Sequence, residues 1–440
     1  MTELNTSSSN SDSEVEAPFK DPSSNPAEPH RIAFSDISTA AFNIRDGIIY
    51  TPTTKSPQLS ALLGMEVYNK KEFLQVTGSF KERGARYALH RLTAEERKVG
   101  VIAASAGNHA LALAYHGQQM DIPVTVVMPT FAPLMKLSAC RSFGANIVLH
   151  GKDISEARTH AFELIKTSKQ KYINGFDYPD VIAGQGTIGL EILEQVKNVD
   201  AVIVPVGGGG LIAGIALAIK TLKPEVQVIG VESECCASFH NAMHGSHFKM
   251  MPESSIADGL AVPNVGVNAV YMARGIVDEL ITVCEESIAL AILRFLELEK
   301  SVVEGAGAVG LAAMLSGKLP HLKGKRVVNI MTGGNIDSTV LGRTIERGLA
   351  VDGRLVKLDV VVSDRPGGIA ELTNVIAHTG ASIKDIFHER AWLAANVFEV
   401  RVRVVVETRE RAHAEELHSI LKEKYTHVVL YDKKPHFLTN

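Results

Sequence analysis

Six short apolar runs, at residues 101–104, 124–128, 145–149, 201–206, 226–231 and 327–331, recur between longer Ala/Leu segments of helical periodicity. Because they barely alternate with polar residues, both faces of the strands they predict must be covered. A parallel sheet flanked by helices does this, so the pattern predicts an α/β domain over residues 31–350. At 440 residues the chain also exceeds one compact core of roughly 100–200 residues, so further domains are expected.

The texture changes on both flanks. Residues 1–30 are rich in Ser, Asn, Pro and acids, bury almost nothing, and read as a disordered tail. From Val351 on, an alternating run at 355–362 leads through Asp364-Arg365-Pro366-Gly367 into a helical stretch at 369–378. Two β-rich segments follow at 382–388 and 396–406, then a charged helix at 409–422 and a strand at 428–431. That βαββαβ order predicts a ferredoxin-like antiparallel sheet, hence a separate domain at 351–440.

Charge narrows the partners. Lys plus Arg number 45 against 49 for Asp plus Glu, a formal charge of -4 that offers no broad basic field to nucleic acid or anionic membrane. No apolar run approaches the roughly 20 residues of a membrane span. The first residues lack a leader's apolar stretch and carry Asp12, Glu14 and Glu16. Cys140, Cys235, Cys236 and Cys284 are few and irregularly spaced, as reduced thiols are. The expectation is a cytoplasmic protein with a small-molecule partner.

Three segments carry chemistry. Gly207, Gly208, Gly209, Gly210 and Leu211 join a strand to a helix, where backbone amides free of Cβ atoms and the positive helix end would cradle a phosphate. A tight turn without a ligand has the same sequence. Gly-Lys-Ser/Thr is missing, and a dinucleotide fingerprint finds Ile212 at its third glycine, though Glu232 lies near its acidic position. Lys81, beside Phe80 and near Arg83, would have its amine pKa lowered enough to form a Schiff base with an aldehyde; a surface lysine is the plain alternative. Ser105-Ala106-Gly107-Asn108-His109 follows a strand and could hold a carboxylate at a helix start, or Ser105 could simply cap that helix.

Ser79-Phe80-Lys81-Glu82-Arg83-Gly84-Ala85, Ser105-Ala106-Gly107-Asn108-His109, the tetraglycine loop and Thr332-Gly333-Gly334-Asn335 occur in this order, with Ile182-Ala183-Gly184-Gln185-Gly186-Thr187 and Glu304-Gly305-Ala306-Gly307 between them. In this the chain resembles the threonine dehydratase and serine racemase family, pyridoxal-phosphate enzymes of the tryptophan-synthase-β fold, from about Ile37 to Leu349. The resemblance implies a two-lobed parallel-sheet fold of type II, a pyridoxal 5'-phosphate cofactor and a small amino-acid substrate. It makes Lys81 the anchoring lysine and catalytic base, sets Phe80 against the pyridine ring and Asn108 on its phenolic oxygen, and gives the phosphate to Gly207, Gly208, Gly209, Gly210 and Leu211. Asn174 would lie near the cofactor, and Ser105, Asn108 and His109 would bind substrate.

Thr332 falls where the family places a hydroxyl or thiol against the pyridine nitrogen. A neutral group there does not hold the ring protonated, so charge developing at Cα is better relieved by expelling the β-hydroxyl. A racemase of the family needs a second acid/base after the first serine of the Ser-x-Gly-Asn-His motif, where this chain has Ala106. Glu232 remains from the family's cation site but Ser238 replaces its partner acid, so no metal is expected. The C-terminal block resembles the ACT domain, which implies an amino-acid effector and a homodimer or homotetramer; a purely oligomerising module is the alternative. The expected reaction is dehydration and deamination of L-threonine or L-serine. Serine racemase, a non-catalytic amino-acid sensor and a nucleotide-dependent oxidoreductase are the readings set against it.

Overall fold

The apolar runs form strands, and helices follow most of them. The computed structural model describes residues 21, 23–245, 255–390 and 397–431. Its strands are β1 (Thr53–Lys55), β2 (Glu66–Lys71), β3 (Val101–Ala104), β4 (Val124–Met128), β5 (Asn146–Leu149), β6 (Lys171–Tyr172), β7 (Ala201–Pro205), β8 (Gln227–Ser233), β9 (Glu279–Val283), β10 (Arg326–Met331), β11 (Leu355–Ser363), β12 (Ser382–Glu389), β13 (Glu399–Glu407) and β14 (Val428–Tyr431). No helix among the described residues is long and apolar enough to cross a membrane.

The larger sheet runs β1-β2-β10-β7-β8-β9, parallel throughout except for the β1/β2 pair. Both its faces are buried. Val202 and Val204 of β7 pack with the helices Pro179–Gln195 and Gly210–Leu222, while Ala201 and Ile203 face the opposite core with Gly305–Leu315. This is why the β7 run reads as unbroken apolar sequence. A smaller parallel sheet, β5-β4-β3-β6, repeats the arrangement: Val101 and Ala103 enter one core and Ile102 the other.

β2 escapes an apolar reading because it carries Asn69 and Lys70, both fully buried. Each has a partner. Asn329 of β10, in register with Asn69, donates its Nδ2 to Asn69 Oδ1 at 3.2 Å. Lys70 Nζ reaches Glu191 Oε2 at 2.5 Å, joining a network in which Arg83 pairs with Glu72 at 2.7 Å and Glu191 at 2.6 Å. Burial alone would lower the Arg83 pKa, but its two carboxylates more than offset this and raise it. The network ties helix Lys81–His90 to β2 and to Pro179–Gln195.

The third sheet, β12-β13-β11-β14, is antiparallel and built from a βαββαβ order. Alternate residues Val356, Leu358, Val360 and Val362 enter its own core with Leu372, Ile376, Leu417 and Leu421 from its two helices. Ion pairs link it to the rest of the chain: Arg354 to Glu297 at 2.5 Å, and Lys384 to Glu346.

At the other end, residues 1–20 and 22 of the expected tail lie outside the described residues. Residues 23–30 are held in place, however. Ser24 donates to Asp177, and Asn268 donates to the Ser23 carbonyl at 2.6 Å and accepts from the His30 amide at 2.8 Å. A polar segment with little to bury is ordered here by hydrogen bonds to buried groups.

Candidate active site

β3, β7 and β10 each end at a segment singled out by sequence, and the C-terminal ends of parallel strands are where open α/β sheets bind ligands. Between the two parallel sheets lies a cavity of about 400 Å³ lined by Lys81, by 105–109, by 207–211 and by Thr332. Phe80 and Asn174 line it as well, so the lysine, the tetraglycine loop, the 105–109 loop and Thr332 meet in one place.

Lys81 opens its helix, and the loop before it is stitched to the loop after β10. Ser79 forms a β-bridge with Gly333, the Phe80 amide donates to the Thr332 carbonyl at 3.0 Å, and the Gly334 amide to the Gly78 carbonyl at 3.0 Å. Gly78 has φ of +75°, and a Cβ there would lie 2.5 Å from Asn335 Oδ1, so only glycine brings the two loops this close. Lys81 Nζ donates to the Gly175 carbonyl at 2.5 Å. Burial pulls its pKa down to about 8, with the Glu304 carboxylate opposing. Near neutrality a useful fraction of the amine is therefore uncharged and nucleophilic.

Asn174 acts on that same loop: its Oδ1 accepts from the Phe176 and Asp177 amides at 3.1 Å, fixing the turn that presents the Gly175 carbonyl. Its Nδ2 donates to Asp21 Oδ2 at 3.0 Å.

The tetraglycine segment packs too closely against its neighbours to carry side chains. Gly209 has φ of +93°, and a Cβ there would stand 2.1 Å from the Phe239 ring. Gly210 starts a 13-residue helix whose positive end points at the cavity. Glu232, the acid of a dinucleotide fingerprint, does not line the cavity; its two oxygens accept from the Phe239 and His240 amides at 2.8 and 2.7 Å. An amine of lowered pKa beside an amide-lined anion cradle fits a phosphorylated aldehyde.

On the small-sheet side, helix Asn108–Gln119 begins two residues later than a Ser105 cap would require. Ser105 Oγ accepts from the Gly107 amide at 3.3 Å and bends the loop instead of capping the helix. His109 Nε2 meets the Ile173 carbonyl at 3.0 Å, and burial, reinforced by the charge of Lys81, lowers its pKa to about 3. It is therefore a neutral ring.

Sequence reasoning quoted Glu304 within a motif but gave it no role. It is buried on the cavity wall, where Asn108 Nδ2 donates to its Oε1 at 2.7 Å. Burial, helped by the charge of Asp258, raises its pKa to about 7. The one available signal was an acid directly before the small-residue run Gly305-Ala306-Gly307. Lys136 and Asp258, also unsuspected, form a 3.5 Å ion pair between the small-sheet and large-sheet sides of the cavity.

Residues 44–333 match the sequence family described as pyridoxal-phosphate dependent enzyme. The chain is 42% identical over 391 residues to the L-threonine ammonia-lyase of Thermotoga maritima, covering 89% of this chain and 97% of that one. Among solved structures it is similar to the processed form of threonine deaminase isoform 2 from Solanum lycopersicum, with a TM-score of 0.68 and 38% identity over 73% of this chain and 95% of that one. It is also similar to serine racemase from Dictyostelium discoideum, with a TM-score of 0.65 and 36% identity over 70% and 99%.

Proposed function

The chain belongs to the pyridoxal-phosphate dependent enzymes, and on that premise we propose that it is a lyase that eliminates the β-hydroxyl of L-threonine or L-serine as water and takes one water back on hydrolysis, so that ammonia and 2-oxobutanoate or pyruvate are the net products. Pyridoxal phosphate, held on a lysine, draws electrons from the Cα of an amino acid and so acidifies its proton. The observation that carries the reading is the Lys81 amine, held in the cavity by the Gly175 carbonyl, facing a glycine cradle and with Ala106 on the cavity wall.

In this reading Lys81 anchors the cofactor and takes the Cα proton, its lowered pKa suiting a base that works near neutrality. The amides of Gly207, Gly208, Gly209, Gly210 and Leu211 would bind the phosphate, and Phe80 would stand against the ring; all line the cavity. Asn108 would turn its side chain to the ring oxygen, while Ser105 and the backbone amides of residues 105–109, that of Asn108 included, would receive the substrate carboxylate, with His109 beside them. Thr332, on the cavity wall, would offer the ring nitrogen a neutral hydroxyl, which would favour loss of the β-hydroxyl over prolonged charge at Cα. Inversion at Cα needs a proton donor on the face away from Lys81. The methyl group of Ala106 has none to give, which favours the lyase over the racemase.

Residues 31–350 form the catalytic part in this proposal. Residues 351–440 form an ACT-like regulatory domain that binds an amino-acid effector and pairs with a second copy, the enzyme being a homodimer or homotetramer in the cytoplasm. The separate core of β11 to β14 supports that division. Incubation with L-serine and L-threonine separately, with 2-oxo acid, ammonia and D-amino acid measured together, tests the function. Oxo acid and ammonia in equal amounts are expected. Abundant D-serine would replace the lyase with a racemase, and absence of any product would refute both.

A further inference from the structure

Asn108 stands in a directed chain of hydrogen bonds whose far members come from the other side of the cavity. It begins at the Thr77 carbonyl, which can only accept. Asn335 Nδ2 donates to that carbonyl at 2.7 Å, so the Asn335 amide is oriented with its nitrogen inward. The same nitrogen donates to Asn108 Oδ1 at 2.9 Å. That leaves Asn108 Nδ2 facing Glu304, to whose Oε1 it donates at 2.7 Å. Glu304 is held in turn by a backbone amide of Asn335, and Gly333 makes room for it, since a Cβ there would lie 2.3 Å from Oε1.

We propose that Glu304 and Asn335 are positioning residues that set the Asn108 carboxamide one way round, so that it presents an N–H and not its oxygen to the ring oxygen of the bound cofactor. The inference rests on the cofactor assignment above. Asn108 Nδ2 has two N–H groups and Glu304 takes one, so the second is left for the cavity that Asn108 lines. A reversed carboxamide would set NH2 against the Asn335 NH2 whatever the charge of Glu304, and oxygen against the oxygen of an ionised Glu304, losing both bonds at once. It would also turn a lone pair toward the ring oxygen, where a donor is needed. Neither residue has to touch the cofactor for this; each acts through Asn108.

The visible absorption of bound pyridoxal phosphate depends on where the proton near its ring oxygen resides, so the spectrum reports the orientation of Asn108 apart from turnover. Purified wild-type, Glu304→Ala, Glu304→Gln and Asn335→Asp proteins are compared by absorption spectra across neutral pH and by titration of the apoproteins with pyridoxal phosphate. Glu304→Ala is expected to redistribute the absorbing forms and weaken cofactor affinity about tenfold, as loss of an outer orienting partner typically does. Glu304→Gln, whose amide oxygen still accepts from Asn108, restores the wild-type spectrum. Asn335→Asp, which sets an acceptor against Asn108 Oδ1, reproduces the Glu304→Ala change and decides the matter alone if Glu304→Ala does not fold. Wild-type spectra and affinity in Asn335→Asp and in any folded Glu304→Ala overturn the proposal. So does a Glu304→Gln as altered as Glu304→Ala. A wild-type protein that takes up no cofactor overturns this inference and the proposed function together, whereas unaltered variants beside a normal wild type overturn the orientation role only.

Discussion

Single residues decide the chemistry through what surrounds them. Lys81 is a lysine like many others until burial lowers its pKa to about 8 and the Gly175 carbonyl holds its amine in the cavity. Lys81→Ala is expected to lower ammonia release by more than about 10³-fold, since both anchor and base are lost, with thermal unfolding little changed. Substantial turnover in that variant would remove Lys81 from its role. Glu232 offers a test of electrostatics away from the cavity. Burial raises its pKa to about 8, against the two backbone amides that favour its charge. A carboxyl whose folded pKa exceeds its unfolded value stabilises fully below the unfolded value, and that contribution is lost as pH rises through the folded one. Wild-type stability relative to Glu232→Gln, which does not titrate, should therefore fall between about pH 4.5 and 8. Denaturant unfolding of both proteins at the ends of that window checks this; a constant difference would mean that the amides hold Glu232 charged throughout.

Elements are held together by buried charge as well as by apolar packing. Helix Lys81–His90 is joined to β2 and to Pro179–Gln195 by Arg83, Glu72, Lys70 and Glu191, and Arg83, Glu72 and Lys70 are fully buried. Removing one partner of such a network leaves the others unpaired out of water. Arg83→Leu is therefore expected to cost about 3–5 kcal/mol, measured by denaturant unfolding, and Glu72→Gln less because its amide still accepts from Arg83. A near-neutral Arg83→Leu would mean that water reaches the network. The same elements show what local sequence conveyed. The runs that form β3, β4, β7 and β10 were legible because both faces of each strand are apolar. β2, with Asn69 and Lys70 inside, was not, and neither was the two-residue β6. A polar residue is buried only with its partner, and the partners Asn329 and Glu191 lie more than a hundred residues away.

At the scale of the whole molecule, the antiparallel sheet has its own core, and ion pairs such as Arg354–Glu297 join it to the rest. Truncation after Gly353 keeps helix Ser338–Val351 whole and preserves the Arg294–Asp352 pair at 2.5 Å. The truncated protein is expected to fold, bind cofactor and turn over substrate, yet lose any response to added amino acids, a coupling typically of ~1–3 kcal/mol. Circular dichroism, cofactor absorbance and activity with and without candidate effectors measure it. Loss of fold would make the domain structural, and an intact protein indifferent to every amino acid would end the regulatory reading.

Local chemistry was in the sequence: a lysine between an aromatic and a helix start, four glycines between strand and helix, and Ala106 where an acid/base serine could stand. These are covalent facts about neighbouring residues, and the alternation of apolar runs with helices was enough to set the layers that carry them. Tertiary structure alone decided the rest. Glu304 reaches Asn108 across 196 residues of sequence, Asn335 reaches it across 227, and the Asp21 carboxylate reaches Asn174 across 153. Hydrogen bonds are specific to geometry and not to sequence distance, so which polar groups face one another depends on how the sheets pack. Burial, which gives Lys81 and Glu304 their altered pKa values, exists only once that packing has excluded water.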